Sequence, residues 1–516
     1  MMSFLNLFKS PYQKPPPLKR EIENKPPLTI HSSLEVNLDR LVKTMNTPAD
    51  LVIHRFINGD KIAAAVVYLK SMVQNSDLGT HVIDPLNQVT QKQAPSLIQV
   101  KTAITAPEIL EYSDLNKAIS KLLDGYALIL IEDSDKVLGV SFPGFPRRPI
   151  EEPITEKIIR GPREGFTEAL DDNISLLRRW IKDPNLMVEG ETVGIRTQTA
   201  LRVMYLKDVA NPEVVQEVHR RLNAVQIDGI IDSGYLSQLI TDNRWTIFPL
   251  IQETERPDKV AAAILEGRVA IVVDKSPFVL IVPVTSTELY QIPEDFYLSF
   301  WVGTFIRILR GIGTFVSLTL PGLYITAVSV NSGLFPTQLI QVLASGRTGV
   351  PYPAIVELLL AFIIFEIFRE AVVRVPLNIN LVLGIAGGVL LGLVAMFSGL
   401  IGGPTIIVVI ISTLSSFTTA NIAKEQAWRV VRYFMLLMGT TLGVLGLTLG
   451  GIIILTHMAA LNSFGVSYLG PWAPPIALDI LDAYFVIPWW ASFRRPPTYR
   501  PQDEDRLGKP REGGDQ

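Results

Sequence analysis

The chain of 516 residues contains no cysteine and only five histidines, which are His31, His54, His81, His219 and His457. Without thiols there can be no disulfide, no cysteine nucleophile and no cysteine-ligated metal. The histidines are scattered, without the spacing that builds a metal site. No P-loop, GxGxxG, HExxH or Ser/His/Asp pattern is present. We therefore expect no cofactor and no metal, and an enzyme is the least supported class of function.

The chain also lacks a large excess of positive or negative charge. The chain has 47 Lys and Arg against 50 Asp and Glu, a formal net charge of −3, which gives no case for nucleic-acid binding. The arginine pairs at 147–148, 178–179 and 220–221 look like isolated solvated sites. The N-terminus has too short an apolar part, followed by too much proline and charge, to be a secretory signal. We therefore expect the soluble half in the cytosol.

What the chain does contain is a sharp division in hydropathy. Residues before about 300 look like ordinary soluble sequence, whereas most of Gly311–Ile454 is apolar. We expect an α/β cytosolic region of two related subdomains, followed by an all-α polytopic membrane domain of about five to six apolar segments. The expected parts are a disordered Pro/Lys-rich leader (1–30), subdomain 1 (31–150), subdomain 2 (151–295), the transmembrane domain (296–495) and a charged cytosolic tail (496–516).

An internal repeat indicates the two related subdomains. VVYLK at 66–70 is echoed by VMYLK at 203–207, and LLDGYALILI at 122–131 by ILEGRVAIVV at 264–273. The order of the echoes agrees and their spacing is similar. Each VxYLK run predicts a buried strand, and each L-(D/E)-G predicts a helix end with Gly just beyond it, before another strand. Asn211-Pro212 predicts the start of a helix that continues to Val225.

Two polar clusters stand in the second subdomain, GPREGF at 161–166 and ERPD at 255–258. Their charged members are Arg163, Glu164, Glu255, Arg256 and Asp258. Such clusters can serve an active site, but they are more often structural turns with capping and ion pairing. We favour the structural role.

The first expected span is Gly311–Val330, an uncharged stretch long enough to cross a bilayer. Arg307 and Arg310 precede it, and this basic flank places its start in the cytosol. Pro321 and Gly322 in its second half should kink the helix.

Further uncharged spans are expected at Asn380–Phe397, Pro404–Phe417 and Tyr433–His457, with the basic segment Lys424–Arg432 back in the cytosol. With the first span and the charged span described next, these make five, which would leave the two chain ends on opposite sides. The basic tail instead argues for a cytosolic C-terminus. The weak segment Pro475–Trp490 is therefore a candidate to re-enter or recross the membrane, and the sequence leaves this parity open.

The stretch Pro353–Pro376 is apolar enough for a bilayer yet charged. Its charged residues are Glu357, Glu366, Arg369, Glu370 and Arg374. On a helix the last four fall within roughly 140° of one another, and the first lies opposite. A charge facing lipid costs at least about 2.5 kcal/mol, so these side chains should face protein, water or each other. One interpretation is that they form a polar seam of a pore, gate or subunit interface. The alternative is that the helix ends near Phe368, with its charges in the headgroup region, where they hold the bundle together.

Gly384, Gly388 and Gly392 lie four residues apart on one helical face of the span that follows. Small faces permit close association of helices in lipid. Around a symmetry axis the same face could line a narrow pore, and packing within the bundle is the alternative.

Several short motifs share one order along this soluble-then-membrane chain. They are GPREGF (161–166), NISLLR (173–178), ERPD (255–258), EGRVAIVVDKSPF (266–278), PGLYI (321–325), FEIFREAVVRVP (365–376) and SFGVSYLGPWAP (463–474). In these motifs, from roughly residue 45 to 497, the chain resembles the A subunits of GerA-type spore germinant receptors. Two departures are Leu393 after Gly392, where the family usually has Gln, and Ala420 in place of a usual Pro. If the usual Gln faces the pore, Leu393 makes the lumen of this chain more apolar at that level.

The resemblance implies a receptor in the inner membrane of a bacterial endospore, built from A, B and C subunits. The B subunit is permease-like and binds the nutrient, and the C subunit is a lipoprotein. The A subunit is expected to oligomerise into an ion channel that opens when nutrient is sensed and releases cations.

The leading hypothesis is thus a non-enzymatic receptor-channel subunit. Its charged span would form a vestibule or intersubunit ion-pair network, its glycine face the constriction, and its soluble subdomains a cytosolic ring. A secondary transporter would require inverted membrane repeats, whereas the repetition found lies only in the soluble half. A scaffold that merely assembles the receptor would have no aqueous path through its membrane part.

Overall fold

The computed structural model describes residues 28–506 except 59–60, 93–94, 143–152, 154–155, 157, 376–387, 389–391 and 490–491. Residues 1–27 of the predicted leader, the last ten residues and Gly384 of the predicted glycine face therefore lie outside the described residues. Two α/β units come first, and helices follow.

The first unit begins with a helix and contains five strands. Its elements are α1 (Leu34–Met45), β1 (Leu51–Asn58), β2 (Lys61–Leu69), α2 (Asn75–Leu78), α3 (Asp84–Lys92), α4 (Leu97–Ala103), β3 (Ile109–Tyr112), α5 (Leu115–Leu123), β4 (Tyr126–Ile131) and β5 (Val137–Ser141). The sheet is antiparallel, with strand order β1-β2-β4-β5-β3.

The second unit repeats this plan. Its elements are α6 (Leu170–Trp180), β6 (Leu186–Val193), β7 (Thr199–Leu206), α7 (Pro212–Ala224), α8 (Ser233–Ile240), β8 (Gln252–Thr254), α9 (Pro257–Leu265), β9 (Val269–Val273) and β10 (Val279–Val282). The strand order β6-β7-β9-β10-β8 matches that of the first sheet, so the predicted duplication is confirmed. Both faces of each sheet carry a buried apolar cluster, as strands covered on both sides require.

The duplication extends to hydrogen bonds at the first helix of each unit. The Asn37 amide donates to the His31 carbonyl (2.6 Å) and accepts from the His31 N–H (2.9 Å). Asn173 makes the same two bonds to Thr167, at 2.6 and 2.8 Å. The expected glycines after α5 and α9 also have positive φ, 92° at Gly125 and 89° at Gly267.

A buried ion pair joins the two units. The Arg178 guanidinium donates two bonds of 2.6 Å to the Asp50 carboxylate, which also accepts from the Ser71 hydroxyl at 2.9 Å. Arg178 is 1% exposed, so the prediction of a solvated arginine was wrong at this position. The guanidinium tolerates burial because a carboxylate of the other unit neutralises it in bidentate geometry.

The rest of the described chain is mainly helical. Its elements are α10 (Pro293–Tyr297), α11 (Phe300–Ile325), α12 (Thr337–Ser345), α13 (Ala354–Arg374), α14 (Gly403–Ser416), α15 (Ile422–Ala460), the paired strands β11 (Asn462–Ser463) and β12 (Val466–Ser467), and α16 (Ala477–Tyr484). Among the described residues, two runs are long and apolar enough to cross a membrane, Phe300–Val330 and Ile422–Ala460. The five to six segments expected from the sequence are not confirmed.

Helix α11 begins well before the predicted Gly311. It includes Arg307 and Arg310, which were expected to precede the span as a basic flank but are buried within the helix. Both charges are matched by a carboxylate before the helix, as described below, so the helix does not have to begin after them. The helix continues through Pro321 and Gly322 into a π-helical turn, Thr326–Val330, and the kink stays a prediction.

Helix α15 is a hairpin folded at Gly443, where φ is 64° and ψ is −137°. A Cβ at Gly446 would clash with the Met438 carbonyl, and one at Gly450 would lie 3.0 Å from the Met435 sulfur. In a straight helix these pairs would be about 12 and 22 Å apart along the axis. The two arms, 422–442 and 444–460, therefore pack against each other, antiparallel.

The hairpin corrects one prediction, because Tyr433–His457 is not one span but turns back on itself. The basic segment Lys424–Arg432 is helical and starts the first arm, and its location in the cytosol stays a prediction. Within the described residues 475–489, the α-helix is the eight-residue α16, about 12 Å long, which is too short to recross a bilayer.

Candidate functional site

Two arginines of α11 converge on one carboxylate beneath the second unit. The Arg310 guanidinium donates two bonds of 3.0 Å to Asp295, and Arg307 Nε lies 3.5 Å from the same carboxylate. Arg310 also donates to the Tyr290 carbonyl, and Arg307 to the Asp482 carbonyl. All three charged side chains are buried, so the pairing offsets a large desolvation cost. The start of α11 is thereby fixed to residues 290–295 and to α16.

Lys424, in the first turn of α15, reaches the same region from the other candidate span. Its fully buried ammonium donates to the backbone carbonyl of Ser286 and to the Ser286 hydroxyl, the latter at 2.9 Å. The ammonium also lies 3.4 Å from the centre of the Tyr290 ring, a cation–π contact. Both candidate spans thus bind the segment that leaves the second unit.

The ERPD motif also contacts the segment that leaves the second unit, residues 286–297, which we call the exit segment. Arg256 is buried and donates to the Asp258 carboxylate (2.7 Å) and to the carbonyl of Pro162 in GPREGF (3.2 Å). The Tyr297 hydroxyl, at the end of α10, donates to the same Asp258 carboxylate at 2.7 Å. The motif therefore connects the start of α9 to the residues immediately before α11.

The other predicted members of these motifs lie near the same turn. Glu255 is buried, and the Phe166 N–H donates to its backbone carbonyl at 2.8 Å. Glu164 is 3.4 Å from Arg179, and Arg163 is exposed.

Two of the five predicted charged residues of α13, Glu366 and Arg369, face the first arm of α15. Glu366 accepts from Arg429 (3.0 Å), from Arg432 (3.3 Å) and from the Tyr433 hydroxyl (3.3 Å). Arg369 donates two bonds of 2.9 Å to Glu425. Because Glu425 follows Lys424 directly, the same turn of α15 binds the second unit and α13.

The remaining charges of α13 point elsewhere. Glu357, on the opposite side as expected, is fully buried and accepts from Arg347 (2.7 Å) and from the Gly402 N–H (2.6 Å). Glu370 and Arg374 form an exposed ion pair four residues apart. The helix continues to Arg374, so the alternative that it stops near Phe368 was wrong. Whether any of these charges lines a pore stays a prediction.

The described glycines of the predicted small face border an open groove. Among the described residues, a Cβ added at Gly388 would meet the Phe368 ring at 3.8 Å, and one added at Gly392 would meet no atom within 4 Å. The groove between α13, residues 392–397 and α14 has a volume of about 530 Å³ and is lined by apolar side chains, including Phe365 and Leu393. The close intrachain packing that was the alternative for this face is not formed at Gly392 among the described residues.

The residues after the hairpin return to the second unit. The Ser463 hydroxyl donates to the Leu250 carbonyl (2.7 Å) and accepts from the Val284 N–H (3.0 Å). Phe464 is buried in the apolar cluster of the second sheet. Further on, the Gln502 amide donates to the Ala210 carbonyl at 2.6 Å. The described residues that follow the hairpin are thus attached to the second unit.

An acidic cavity of about 240 Å³ separates α9 from this returning segment. Burial, together with the neighbouring Glu288, raises the pKa of Glu266 to about 7. Arg506 lies 2.9 Å from Glu266, and Arg268 lies 3.1 Å from Glu288. Burial also raises the pKa of Asp482. The cavity between α9 and the returning segment is therefore bordered by a carboxyl group whose pKa lies near neutral pH.

The sequence analysis missed Asp295, Lys424 and the role of Arg307 and Arg310. A local signal existed, since an acidic residue stands shortly before a basic pair that leads into an apolar run. Asp482, the other partner of Arg307, is 175 positions away, and only the fold brings it close.

Comparison with known proteins gives concordant results. A family model described as "Bacillus/Clostridium GerA spore germination protein" matches residues 39–498. Spore germination protein KA of Bacillus subtilis (strain 168) is 38% identical over 491 residues, which cover 94% of this chain and 90% of that protein. Spore germination protein GerLA of Bacillus cereus is 30% identical over 486 residues, covering 93% and 98% of the two chains.

One solved structure is also similar, the crystal structure of the N-terminal domain of the A subunit of the Bacillus megaterium spore germinant receptor GerK3. It is 32% identical and covers 50% of this chain and 97% of that one, with a TM-score of 0.39.

Proposed function

Because the chain belongs to the GerA family of spore germination proteins, we propose that it is the A subunit of a nutrient-responsive germinant receptor and forms, with further copies of itself, an ion channel. Its location would be the inner membrane of the spore, with both α/β units in the cytosol. Its partners would be a permease-like B subunit, which binds the nutrient, and a lipoprotein C subunit. Channel opening would release cations, and the chain itself would catalyse no reaction.

The proposed membrane topology has six crossings. They are α11, α13, the segment that ends at Phe397, α14 and the two arms of α15. At the end of the helices far from the second unit, the Val444 N–H donates to the side chain of Asn331 at 3.2 Å. Val444 lies at the hairpin fold, and Asn331 follows the first span. At the end of the helices near the second unit, the hydroxyls of Thr314 and Thr419 lie 3.4 Å apart. An even number of crossings agrees with the attachment of the described residues that follow the hairpin to the second unit.

The observation that carries the channel proposal is an unbroken path of polar contacts from the second unit to α13. The exit segment binds Arg310 and Lys424, and the turn that carries Lys424 binds Arg369 through Glu425. A displacement of the second unit would therefore move the first arm of α15, and α13 with it. Helix α13 borders the groove at Gly388 and Gly392, so this movement could widen or close a constriction.

Single cysteines test the proposal directly, because the native chain has none. Each position from Ala354 to Val375 and from Gly392 to Phe397 is replaced by Cys in the assembled receptor. A membrane-impermeant thiol reagent is then applied with and without nutrient. We expect labelling along one helical face within the membrane, with rates that change on addition of nutrient. Labelling confined to the ends of both segments in either condition would contradict the channel.

A non-conducting scaffold is the second candidate, and the pairing within α13 is the observation that favours it. Glu366 and Arg369 are already neutralised by α15 of the same chain, as expected of residues that hold a bundle together. In that case Glu366→Gln would weaken the assembly of the receptor, and the labelling pattern of the cysteine series would not respond to nutrient.

A further inference from the structure

The loop between α8 and β8 presents an exposed tryptophan on a surface of fixed shape. Trp245 is 95% exposed, and Ile247 beside it is 45% exposed. The Asn243 side chain accepts from the Trp245 N–H at 2.9 Å, and the Thr246 hydroxyl accepts from the Phe248 N–H at 3.2 Å. An ordered loop that holds a large aromatic ring away from the protein is typical of a binding surface.

The loop lies against the end of a membrane helix. The Thr246 hydroxyl is 3.1 Å from His457 Nε2 at the end of the second arm, and the Phe248 ring is 6.0 Å from the His457 ring. The Phe248 ring also contacts Trp428 of the first arm, at 5.3 Å between ring centres. The loop therefore marks the level at which both arms of the hairpin meet the second unit.

Apolar side chains face outward from the second arm up to this level. Ile452, Ile453 and Leu455 are each more than half exposed, and Leu455 is two residues before His457, a rise of about 3 Å. If lipid covers these side chains, as the proposed function requires, the boundary between hydrocarbon and headgroups lies beside the loop. Trp245 would then be at headgroup depth.

Two other exposed tryptophans lie near the same end of the membrane helices. Trp301 is in the first turn of α11, before Arg307, and the indole N–H of Trp489 donates to the Phe296 carbonyl at 3.3 Å. Tryptophan is enriched where membrane helices meet water, because its ring is apolar and its N–H is polar. Arg244, next to Trp245, adds a positive charge that anionic headgroups attract.

We propose that residues 243–247 bind the lipid surface and anchor the second unit to the cytosolic headgroup layer of the membrane. Trp245 and Ile247 would enter the interface, and Arg244 would contact lipid phosphates. The anchor would resist displacement of the second unit from the membrane, so that its movement is transmitted to Lys424 and Arg310. This inference rests on the proposed membrane crossing of the α15 hairpin.

Fluorescence quenching in vesicles tests the anchor. Three single-cysteine variants of the full chain, Trp245→Cys, Ile98→Cys and Ile452→Cys, are labelled with an environment-sensitive fluorophore. They are reconstituted into phosphatidylcholine vesicles with and without phosphatidylglycerol, and nitroxide-labelled lipids of known depth serve as quenchers. Ile98 is the matched control, because it is 74% exposed but belongs to α4 of the first unit. Ile452 reports on the membrane crossing itself.

We expect shallow nitroxides to quench the probe at position 245 several-fold more than the probe at 98, and deep nitroxides to quench the probe at 452. Equal, weak quenching at 245 and 98 together with strong quenching at 452 would overturn the anchor while leaving the membrane crossing intact. No quenching at 452 would instead contradict the proposed topology, and the anchor with it. A blue-shifted probe at 245 that lipid nitroxides do not quench would indicate a protein partner or a second copy at the loop, which also overturns the proposal.

Discussion

The two α/β units share strand order and helix capping, yet they differ at the helix that precedes their fourth strands. In the first unit Asp114 caps α5 in the ordinary way, accepting from the Asn116 N–H at 3.0 Å. In the second unit the cap position of α9 is Arg256, which makes no capping bond and is instead buried against Asp258. Tyr297 binds that same carboxylate immediately before α11. The duplicated fold thus serves as a framework, and the contacts with the residues before α11 depend on side chains of the second copy.

The two units also differ at the residue before the positive-φ glycine, Gly125 in the first unit and Gly267 in the second. Asp124 of the first unit lies 2.8 Å from Lys182 and 3.5 Å from Lys121, an ion-pair arrangement at the surface between units. Its counterpart Glu266 borders the acidic cavity that the returning C-terminal segment covers. Equivalent positions therefore have different environments because only the second unit receives that segment.

The largest expected contrast comes from removing the two helix-start side chains. Arg256→Ala leaves Asp258 as a buried carboxylate without its guanidinium, which should cost about 3–5 kcal/mol of unfolding free energy. Asp114→Ala removes an N-cap and should cost about 1 kcal/mol. Denaturant unfolding of the full chain in detergent, followed through the α/β units, measures both. Equal losses would mean that the two helix starts are equivalent despite their different contacts.

A contrast in pH dependence is expected next. The folded pKa of Glu266, about 7, lies above its value of 4.5 in the unfolded chain, so folding favours the protonated form. Its contribution to stability is therefore greatest below about pH 4.5 and falls as the pH rises towards 7, by about 1–3 kcal/mol. Glu266→Gln should remove this part of the pH dependence.

The matched control for Glu266→Gln is Asp124→Asn in the first unit. We expect that substitution to leave the slope of stability between pH 5 and about 7 as in the native chain. Melting temperatures of the three proteins across this range suffice for the comparison. A native-like slope in the Gln variant would show that Glu266 is not the group that titrates.

The smallest contrast is expected where the units agree. Asn37→Ala and Asn173→Ala each remove the two shared hydrogen bonds, to His31 and to Thr167 respectively, and Asn173→Ala also removes a long bond of 3.4 Å from the Thr167 hydroxyl. Each should cost about 1–3 kcal/mol, and the two losses should agree within about 0.5 kcal/mol. Unfolding in the same detergent and denaturant measures the pair. A clear inequality would show that the shared hydrogen bonds have diverged in their contribution.

The sequence was sufficient for the duplication because strand and helix-end motifs are local. VxYLK and L-(D/E)-G recur in order, and strands β2, β4, β7 and β9 lie where those motifs predict them. The helical angle between Glu357 and Glu366 was also predictable, since it depends only on helix geometry.

Features that depend on distant residues were not predictable. Asp482 is 175 positions from Arg307 and becomes its partner only in the fold, whereas Asp295 lies within 15 positions of both arginines and was overlooked. The hairpin was hidden because Gly443 lies in a uniformly apolar run, and composition does not reveal a positive φ. The contacts between the second unit and the starts of α11 and α15 were therefore found only in the structure.

The central claim is that the α15 hairpin returns the chain to the second unit, so that both candidate spans are held from one side. Thr246→Cys with His457→Cys, introduced together into the cysteine-free chain, tests this with a short bifunctional thiol-reactive cross-linker. Phe248→Cys with Trp428→Cys is the control, because that pair lies at the near end whether or not α15 folds back. The account predicts efficient cross-linking of both pairs. Cross-linking of the control pair alone would contradict it, since a straight α15 would place His457 about 50 Å from Lys424.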